Sequence, residues 1–406
     1  MLYNAYEMQR SLLAGASTLA NIGAGWLQNP ANPFAYSGAG PIVASALDVF
    51  AHASAPRGKP SFGIESTVVE GRKVAVREEI VLRKPFGQLK RFRREGVEGS
   101  QRLLIVAPMS GHYATLLRGT VERMLPRHDV YITDWRDAKL VPVDCGRFDL
   151  DDYIDYLIEF LERIGPGAHM LAVCQPAVPA YAAAALMSAE KHPARPRTLT
   201  LMGGPIDSRE APTAVNTLAT QRPHSWFSQN VIATIPYPYP GAGRAVYPGF
   251  LQLAGFMTMN LGNHLNSHWE LFKHLVEGDG ESADATKEFY DEYRAVSDMT
   301  AEFYLQTVDV VFQRHLLPKG ELTHRGRKVD PSAIRDVALL AIEGERDDIS
   351  GVGQTKAALK ISKRLPADMK HYHLARGVGH YGIFHGSKWR DRIAPVVEQW
   401  IERHKA

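Results

Sequence analysis

The stretch His169-Met-Leu-Ala-Val-Cys-Gln-Pro-Ala177 decides how the rest of the chain is read. An apolar run over 170–173 ends at a thiol, Cys174. Gln175 and Pro176 follow, and an alanine-rich segment over 177–186 then has the composition of a helix. Strand, tight turn with a nucleophile at its tip, and helix are the parts of a nucleophile elbow. Such a turn lifts one side chain clear of its neighbours and aims the N–H groups of the helix start at the same point. The usual signature is Gly-x-Ser-x-Gly, and every fixed position differs here: Ala172 and Pro176 replace the glycines and Cys174 the serine. Ala and Pro are still compact, and Pro suits a first helical turn. Taken alone, the stretch reads equally well as a core strand ending in a buried, inert cysteine.

On either side, short buried strands over 103–107, 129–133 and 198–202 alternate with helices over 113–124 and 148–164. That rhythm predicts a mostly parallel sheet with helices on both faces, an α/β fold of the α/β-hydrolase kind. Ahead of it, period-two apolar residues over 65–84 (Thr67, Val69, Val74, Val76, Ile80, Leu82), with a turn at Glu70-Gly71, give antiparallel strands. After Pro205 the rhythm breaks. Proline clusters such as Pro236-Tyr-Pro-Tyr-Pro240, many aromatics and helical stretches over 247–261, 268–277 and 284–311 read as an inserted, largely helical cap over 206–330. The rhythm resumes with strands over 337–342 and 370–374 and helices over 353–365 and 389–403. The α/β core therefore takes 61–205 and 331–406.

Two apolar helices separated by Asn29-Pro-Ala-Asn-Pro33 form an N-terminal helical arm over 1–60, joined by the linker Ala55-Pro-Arg-Gly-Lys-Pro60. The arm packs on the main domain, packs on a partner subunit, so that a homo-oligomer stays open, or lies on an apolar surface. An apolar fraction of 45% with 22% charged residues is that of a soluble globular protein, and a net charge of +3 excludes a general nucleic-acid binder. The basic run over 84–94 is a solvated strand face or an anion contact. Two cysteines, Cys145 and Cys174, cannot make a disulfide framework and fit a reducing compartment. With no secretory signal pattern and no transmembrane segment, the expected place is the cytoplasm. No zinc spacing accompanies the cysteines; no metal or cofactor is expected.

In the α/β-hydrolase order, nucleophile, acid and histidine follow one another at the C-terminal ends of successive strands. The strand over 338–342 runs into Glu343-Gly-Glu-Arg-Asp-Asp-Ile-Ser350, which places Asp347 in the acid's slot with Asp348 as the alternative. Arg376-Gly-Val-Gly-His-Tyr-Gly-Ile383 supplies His380 on a glycine-rich loop, with His385 as the alternative. His380 would hold or take the thiol proton of Cys174, and Asp347 would fix the ring. The oxyanion donors would be the N–H of Gln175 and one from Pro108-Met-Ser-Gly-His112, where Met109 is chosen over Ser110. His112 and Cys145 are expected to be structural or inert. Asp134 and Trp135 fit substrate contact and packing equally.

The motifs Ala172-Val-Cys-Gln-Pro176, Thr133-Asp-Trp-Arg136, Gly344-Glu-Arg-Asp-Asp-Ile349 and Gly379-His380 resemble those of intracellular polyhydroxyalkanoate depolymerases, as does the opening Met1-Leu-Tyr-Asn-Ala-Tyr-Glu-Met8. The likeness covers nearly the whole chain. The polyester synthases share a Cys-Asp-His triad on the same fold but carry glycines after the cysteine, where this chain has Pro176. The resemblance implies hydrolysis of amorphous poly(3-hydroxybutyrate) at cytoplasmic granules, giving 3-hydroxybutyrate or short oligomers. On that reading the cap aromatics Trp226, Phe227, Tyr237, Tyr239, Tyr247 and Phe250 could line an apolar channel to Cys174 or form the cap's own core.

Overall fold

A computed structural model describes residues 2–259, 269, 271–273, 275–276, 287 and 290–405. Two helices open the chain, α1 (Leu2–Gln28) and α2 (Gly40–Ser54). The antiparallel strands β1 (Ser66–Val69), β2 (Arg72–Lys84) and β3 (Gly87–Arg94) follow. Then come β4 (Gln101–Val106), α3 (Arg118–Met124), β5 (His128–Trp135), α4 (Leu150–Ile164), β6 (His169–Val173), α5 (Ala177–Ala189) and β7 (Thr198–Met202). Their nine-stranded sheet, completed by the late strands β13 (Ala338–Gly344) and β14 (Lys370–Ala375), has the order β1-β2-β3-β5-β4-β6-β7-β13-β14, and every pairing from β5 to β14 is parallel.

The strand order explains where a site can form. From β4 the chain crosses to β5 on one side and then returns past β4 to β6 on the other. Right-handed crossovers in opposite directions put α3 and α4 on opposite faces and leave a crevice beyond the carboxyl ends of β4 and β6. Asp149 and Asp152 form a reciprocal capping box that starts α4, whose Tyr153, Leu157, Phe160 and Leu161 are buried against the sheet. On the other face α3 meets the last helix, α10 (Ala394–Arg403), through Arg123 and Glu398 at 2.5 Å.

Between β7 and β13 lie α6 (Ala214–Gln221), α7 (His224–Asn230), β8 (Ala233–Thr234), β9 (Ala245–Tyr247), α8 (Gly249–Met259), β10 (Met299–Thr300) and α9 (Ala301–Thr307). A small hairpin, β11 (Thr323–His324) with β12 (Arg327–Lys328), precedes β13 (Ala338–Gly344) and β14 (Lys370–Ala375). The segment after β7 is mainly helical as expected, but β8, β9 and β10 also form a three-stranded sheet. The helix expected over 284–311 is interrupted because Met299 and Thr300 pair with Tyr247 and Val246, while Asp298 accepts the Gly249 N–H at 2.9 Å. The helix expected over 268–277 lies largely outside the described residues, as does the first part of that over 284–311. The helix expected over 353–365 shortens to Ala357–Ile361. The basic run lies on β3, where Lys90 pairs with Glu78 and Arg91 with Asp129. Among the described residues no helix is long and apolar enough to cross a membrane.

The α5 helix presses a run of fully buried alanines into the core, from Ala180 to Ala185 with only Tyr181 larger. Small side chains let its backbone approach the sheet closely, so added volume has nowhere to go. Ala182→Leu should therefore lower stability by about 1–3 kcal/mol. Denaturant unfolding would check this, and an unchanged midpoint would contradict the close packing.

Candidate active site

Cys174 follows directly on β6 and has φ +66, a left-handed conformation that a non-glycine residue rarely adopts. The turn is held from three sides. The Cys174 N–H donates to Met202 O at 2.7 Å, the Ala177 N–H donates to Cys174 O at 3.0 Å, and α5 begins at once. The thiol is half-buried at the rim of the sheet, whereas Cys145 is exposed on a loop elsewhere. The elbow read from the sequence is thus present, with Pro176 in helical geometry at its helix start.

The acid and the histidine come from the loops after β13 and β14. Asp347 Oδ1 accepts the N–H groups of Ile349 (2.9 Å) and Ser350 (2.8 Å), which leaves Oδ2 to accept from His380 Nδ1 at 2.8 Å. The two loops are tied together, since the Arg346 N–H donates to Val378 O at 2.9 Å. Glu343, fully buried at the end of β13, accepts from the N–H groups of Gly353 and Lys356 and from the Tyr372 hydroxyl, and so fixes the acid's loop from below. His380 is buried, hydrogen-bonded to Asp347, and near enough to Cys174 for the sulfur to act on the ring's ionisation. Burial alone would lower the imidazole pKa, but the Cys174 sulfur and the Asp347 carboxylate outweigh it and hold the ring well above its ordinary value. The ring is thereby held ready to carry a proton at the rim where the sulfur stands.

The alternatives separate in space. Asp347, not Asp348, meets the ring. His385 lies beside Gly119 of α3. His112 is buried, bonds Tyr293 O at 3.0 Å and is pushed down to about 4 by that burial, so it stays neutral. Asp134 and Trp135 pack: Asp134 is buried between Lys59 (2.5 Å) and Gln88 (2.8 Å), and Trp135 donates to Ala107 O at 2.8 Å. The cap aromatics pack on each other and on the arm. Tyr247 stacks on Tyr304, Phe250 on Tyr6, Phe227 is buried beside Trp226, and Tyr237 is exposed.

Of the oxyanion candidates, Gln175 is the donor its turn can spare, because Pro176 has no N–H and that of Ala177 is used. Ala107 is pinned on both sides of the second candidate's loop: its N–H donates to Thr133 Oγ1 and its carbonyl accepts from Trp135 and Tyr153. The Met109 N–H then points at the Gln175 side-chain oxygen at 3.4 Å. Gln175 thus links the two candidates through its own side chain, which an incoming oxygen would displace from the Met109 N–H, a feature not legible in the sequence. Gly203-Gly204 was legible only as the end of a strand. A side-chain carbon on Gly203 (φ +56) would lie 2.6 Å from Ile383 Cδ1, 3.2 Å from Asp347 Oδ2 and 3.3 Å from His380 Cε1. One on Gly204 would lie 2.1 Å from Ala177 Cβ and 2.7 Å from Cys174 O.

The strand order and the elbow at the crevice define an α/β-hydrolase. The chain belongs to the PHB de-polymerase family: residues 203–405 match the family model described as PHB de-polymerase C-terminus. It is accordingly a carboxylic ester hydrolase. No match was found among curated proteins. Solved structures of similar fold include a thermophilic esterase from Thermogutta terrifontis (13% identity, 84% of this chain and 98% of that one, TM-score 0.42). A 2-hydroxy-6-oxo-6-phenylhexa-2,4-dienoate hydrolase from Rhodococcus sp. strain RHA1 is similar over 81% and 99% of the two chains at 10% identity and TM-score 0.43. A meta-cleavage product hydrolase from Pseudomonas fluorescens IP01 is similar over 83% and 97% at 13% identity and TM-score 0.44.

Gly203→Ala should displace His380 and Asp347 and cut ester turnover by about tenfold to a hundredfold with the fold retained; steady-state kinetics beside circular dichroism would check it, and full activity would contradict the crowding. A second expectation concerns pH. Because the His380 pKa is raised, the stability its charged ring contributes is fully present below the unfolded value of about 6.5 and is lost as pH rises through the folded value. The gap in melting temperature between wild type and Asp347→Asn should be widest between about pH 5 and 6.5 and narrow above that. A gap that widens with pH would reverse the assignment.

Proposed function

We propose that the protein hydrolyses the ester bonds of amorphous poly(3-hydroxybutyrate) with Cys174 as nucleophile, Asp347 and His380 as its partners, and the N–H groups of Gln175 and Met109 as oxyanion donors. The observation that carries this reading is a buried imidazole bonded to a carboxylate and set beside a thiol at the elbow of an α/β-hydrolase. Membership of the PHB de-polymerase family supports the polyester as substrate. The division into an arm over 1–60, a core over 61–205 and 331–406, and a cap over 206–330 belongs to the same proposal, as does a cytoplasmic place at polyester granules.

The Cys174 sulfur attacks the ester carbonyl carbon, and the charge that collects on oxygen is met by the two N–H groups, each worth about 3 kcal/mol in comparable sites. The carbon–oxygen bond to the next unit breaks as His380 delivers its proton to the departing alkoxide. A thioester of the 3-hydroxyacyl group remains on the sulfur. Water then attacks that carbonyl, His380 takes the water proton, and the acid is released with the thiolate restored. Asp347 holds Nδ1 protonated throughout, so the ring's other nitrogen serves the sulfur and the alkoxide.

Cys174→Ala should abolish release of 3-hydroxybutyrate from amorphous granules while leaving the thermal unfolding curve near that of wild type. Release by that variant at the wild-type rate would refute a cysteine nucleophile. Iodoacetamide should label Cys174 well ahead of Cys145, in line with a sulfur held beside an imidazolium.

A further inference from the structure

The helix α1 is built inside out. Its buried residues are Tyr3, Ser17, Ala20 and Ala24, all but the first small, and they lie on one side of the helix, Tyr3 against Tyr239 and Phe250 and the rest near the seam with α2. Ser17 Oγ donates to Ala51 O at 2.8 Å, and a side-chain carbon on Gly23 would lie 3.2 Å from Leu47. The large apolar residues are on the opposite face. Met8, Leu12, Leu19, Ile22 and Trp26 are between 57 and 72% exposed, and their spacing (i, i+4, i+11, i+14, i+18) aligns them in one stripe. After α1, Phe34 extends the stripe, with its ring centroid 6.2 Å from that of Trp26, whereas the exposed Ile42, Val43 and Phe50 of α2 stand opposite Ala51, which meets α1, and belong to a separate face. Single exposed apolar residues need no explanation, but a contiguous face of this size marks a contact surface.

Charge narrows the kind of partner. Residues 11–47 contain no Asp, Glu, Lys, Arg or His. The charges of α1 are Glu7 and Arg10, which face each other at 3.6 Å. Helices that lie on anionic bilayers carry lysine and arginine along the edge of the apolar stripe, and a protein partner would be met by a polar rim. This arm has no charged edge: its stripe is bordered by the exposed but neutral Ser11, Thr18 and Asn21, which suits an uncharged, water-poor phase whose ester oxygens accept hydrogen bonds. Its placement agrees. Tyr3 of α1 donates to Asp298 at 2.6 Å, Tyr6 stacks on Phe250 of α8, and Gln252 of α8 lies against Gly111 in the loop after β4. Asp298 in turn is tied to the loop after β5: its N–H donates to Asp137 at 3.2 Å and its carbonyl accepts the Ala138 N–H at 3.0 Å. The arm is thus rooted on the carboxyl-end rim that carries Cys174.

We infer that the outward stripe of α1, with Phe34, is the interfacial anchor of the enzyme, the surface that seats it on a fluid, uncharged polyester particle with the catalytic rim beside the contact. The inference rests on the substrate reading given above and adds the surface that engages it.

The test separates binding from turnover. In a Cys174→Ala background, sedimentation with amorphous poly(3-hydroxybutyrate) particles is compared with and without Leu12→Glu, Leu19→Glu and Ile22→Glu combined. In the active background, the same three changes are compared on particles and on a soluble trimer of 3-hydroxybutyrate. The three outward carboxylates should weaken particle binding and particle hydrolysis by at least about tenfold, since each removes an apolar side chain from the contact. Soluble trimer hydrolysis should stay within about twofold, because no catalytic distance changes. Equal particle binding by both forms overturns the inference. Tighter association with phosphatidylglycerol vesicles than with the polyester overturns the choice of partner, and a wild-type dimer that the three changes convert to monomer makes the face a self-interface and overturns it also. Arm-dependent sedimentation without release of 3-hydroxybutyrate by the active protein upholds the anchor and overturns the substrate reading instead.

Discussion

The catalytic rim depends on one close approach of backbone to backbone. The end of β7 passes so near the elbow that any side chain at Gly204 would occupy the space of Ala177 and the Cys174 carbonyl. That approach lets Met202 accept the Cys174 N–H, and it lets Gly203 donate to Ile342 on the next strand. Three parallel strands, β6, β7 and β13, therefore end in register, and the residues that follow each of them meet at one point. A left-handed non-glycine residue costs of order 1–3 kcal/mol and persists only where its surroundings over-determine it. Here the surroundings are the two glycines, the first turn of α5 and the buried alanines behind it.

Hydrogen-bond allocation then sets the chemistry. Asp347 spends one oxygen on two backbone N–H groups and has the other for His380. The carboxylate is thereby fixed in direction before the ring arrives, and the ring's tautomer follows from it. A thiol is a weak nucleophile until it loses its proton, and a buried imidazole flanked by a carboxylate is a strong acceptor for that proton. The ring is shielded from water, whereas the sulfur is half-exposed at the rim. Burial, which by itself would discharge the ring, instead strengthens both neighbours' hold on it.

The fold was legible because its signals are local. Each core strand is a short apolar run, each helix follows within a few residues, and the order nucleophile, acid, histidine is a property of the chain. Asp347 and His380 could be placed because loops after strands are where such residues stand. What escaped the sequence depends on distant partners. Tyr3 and Asp298 are 295 residues apart, and contacts such as their bond show that the arm belongs to the rim. Strands β8, β9 and β10 are two or three residues long, too short for any period to register, and they exist because they pair with one another. The Gln175 side chain reaching Met109 and the space that Gly203 keeps open for His380 are matters of a few ångströms, which residue type alone does not encode.

The N-terminal arm divides its two faces between two different free energies. The inner face contributes to folding: small residues allow α1 and α2 to approach until dispersion contacts and the Ser17 hydrogen bond hold them, and the Tyr3 phenol anchors them to a carboxylate pushed up to about 6 by burial and by Asp137. The outer face contributes nothing to folding, since its large side chains remain in water in the isolated chain. Apolar area left in water is stabilising only when something else removes it, at roughly 25 cal/mol per Å². A sequence that places alanine inward and leucine, isoleucine and tryptophan outward has put its apolar area where the folded monomer cannot use it. The consequence is a separation of effects: volume added inside the α1–α2 seam disturbs the fold, whereas polarity added outside changes only what the protein rests upon. Such a separation suits an esterase whose substrate is a surface, because attachment can then be tuned without moving the sulfur, the ring or the carboxylate.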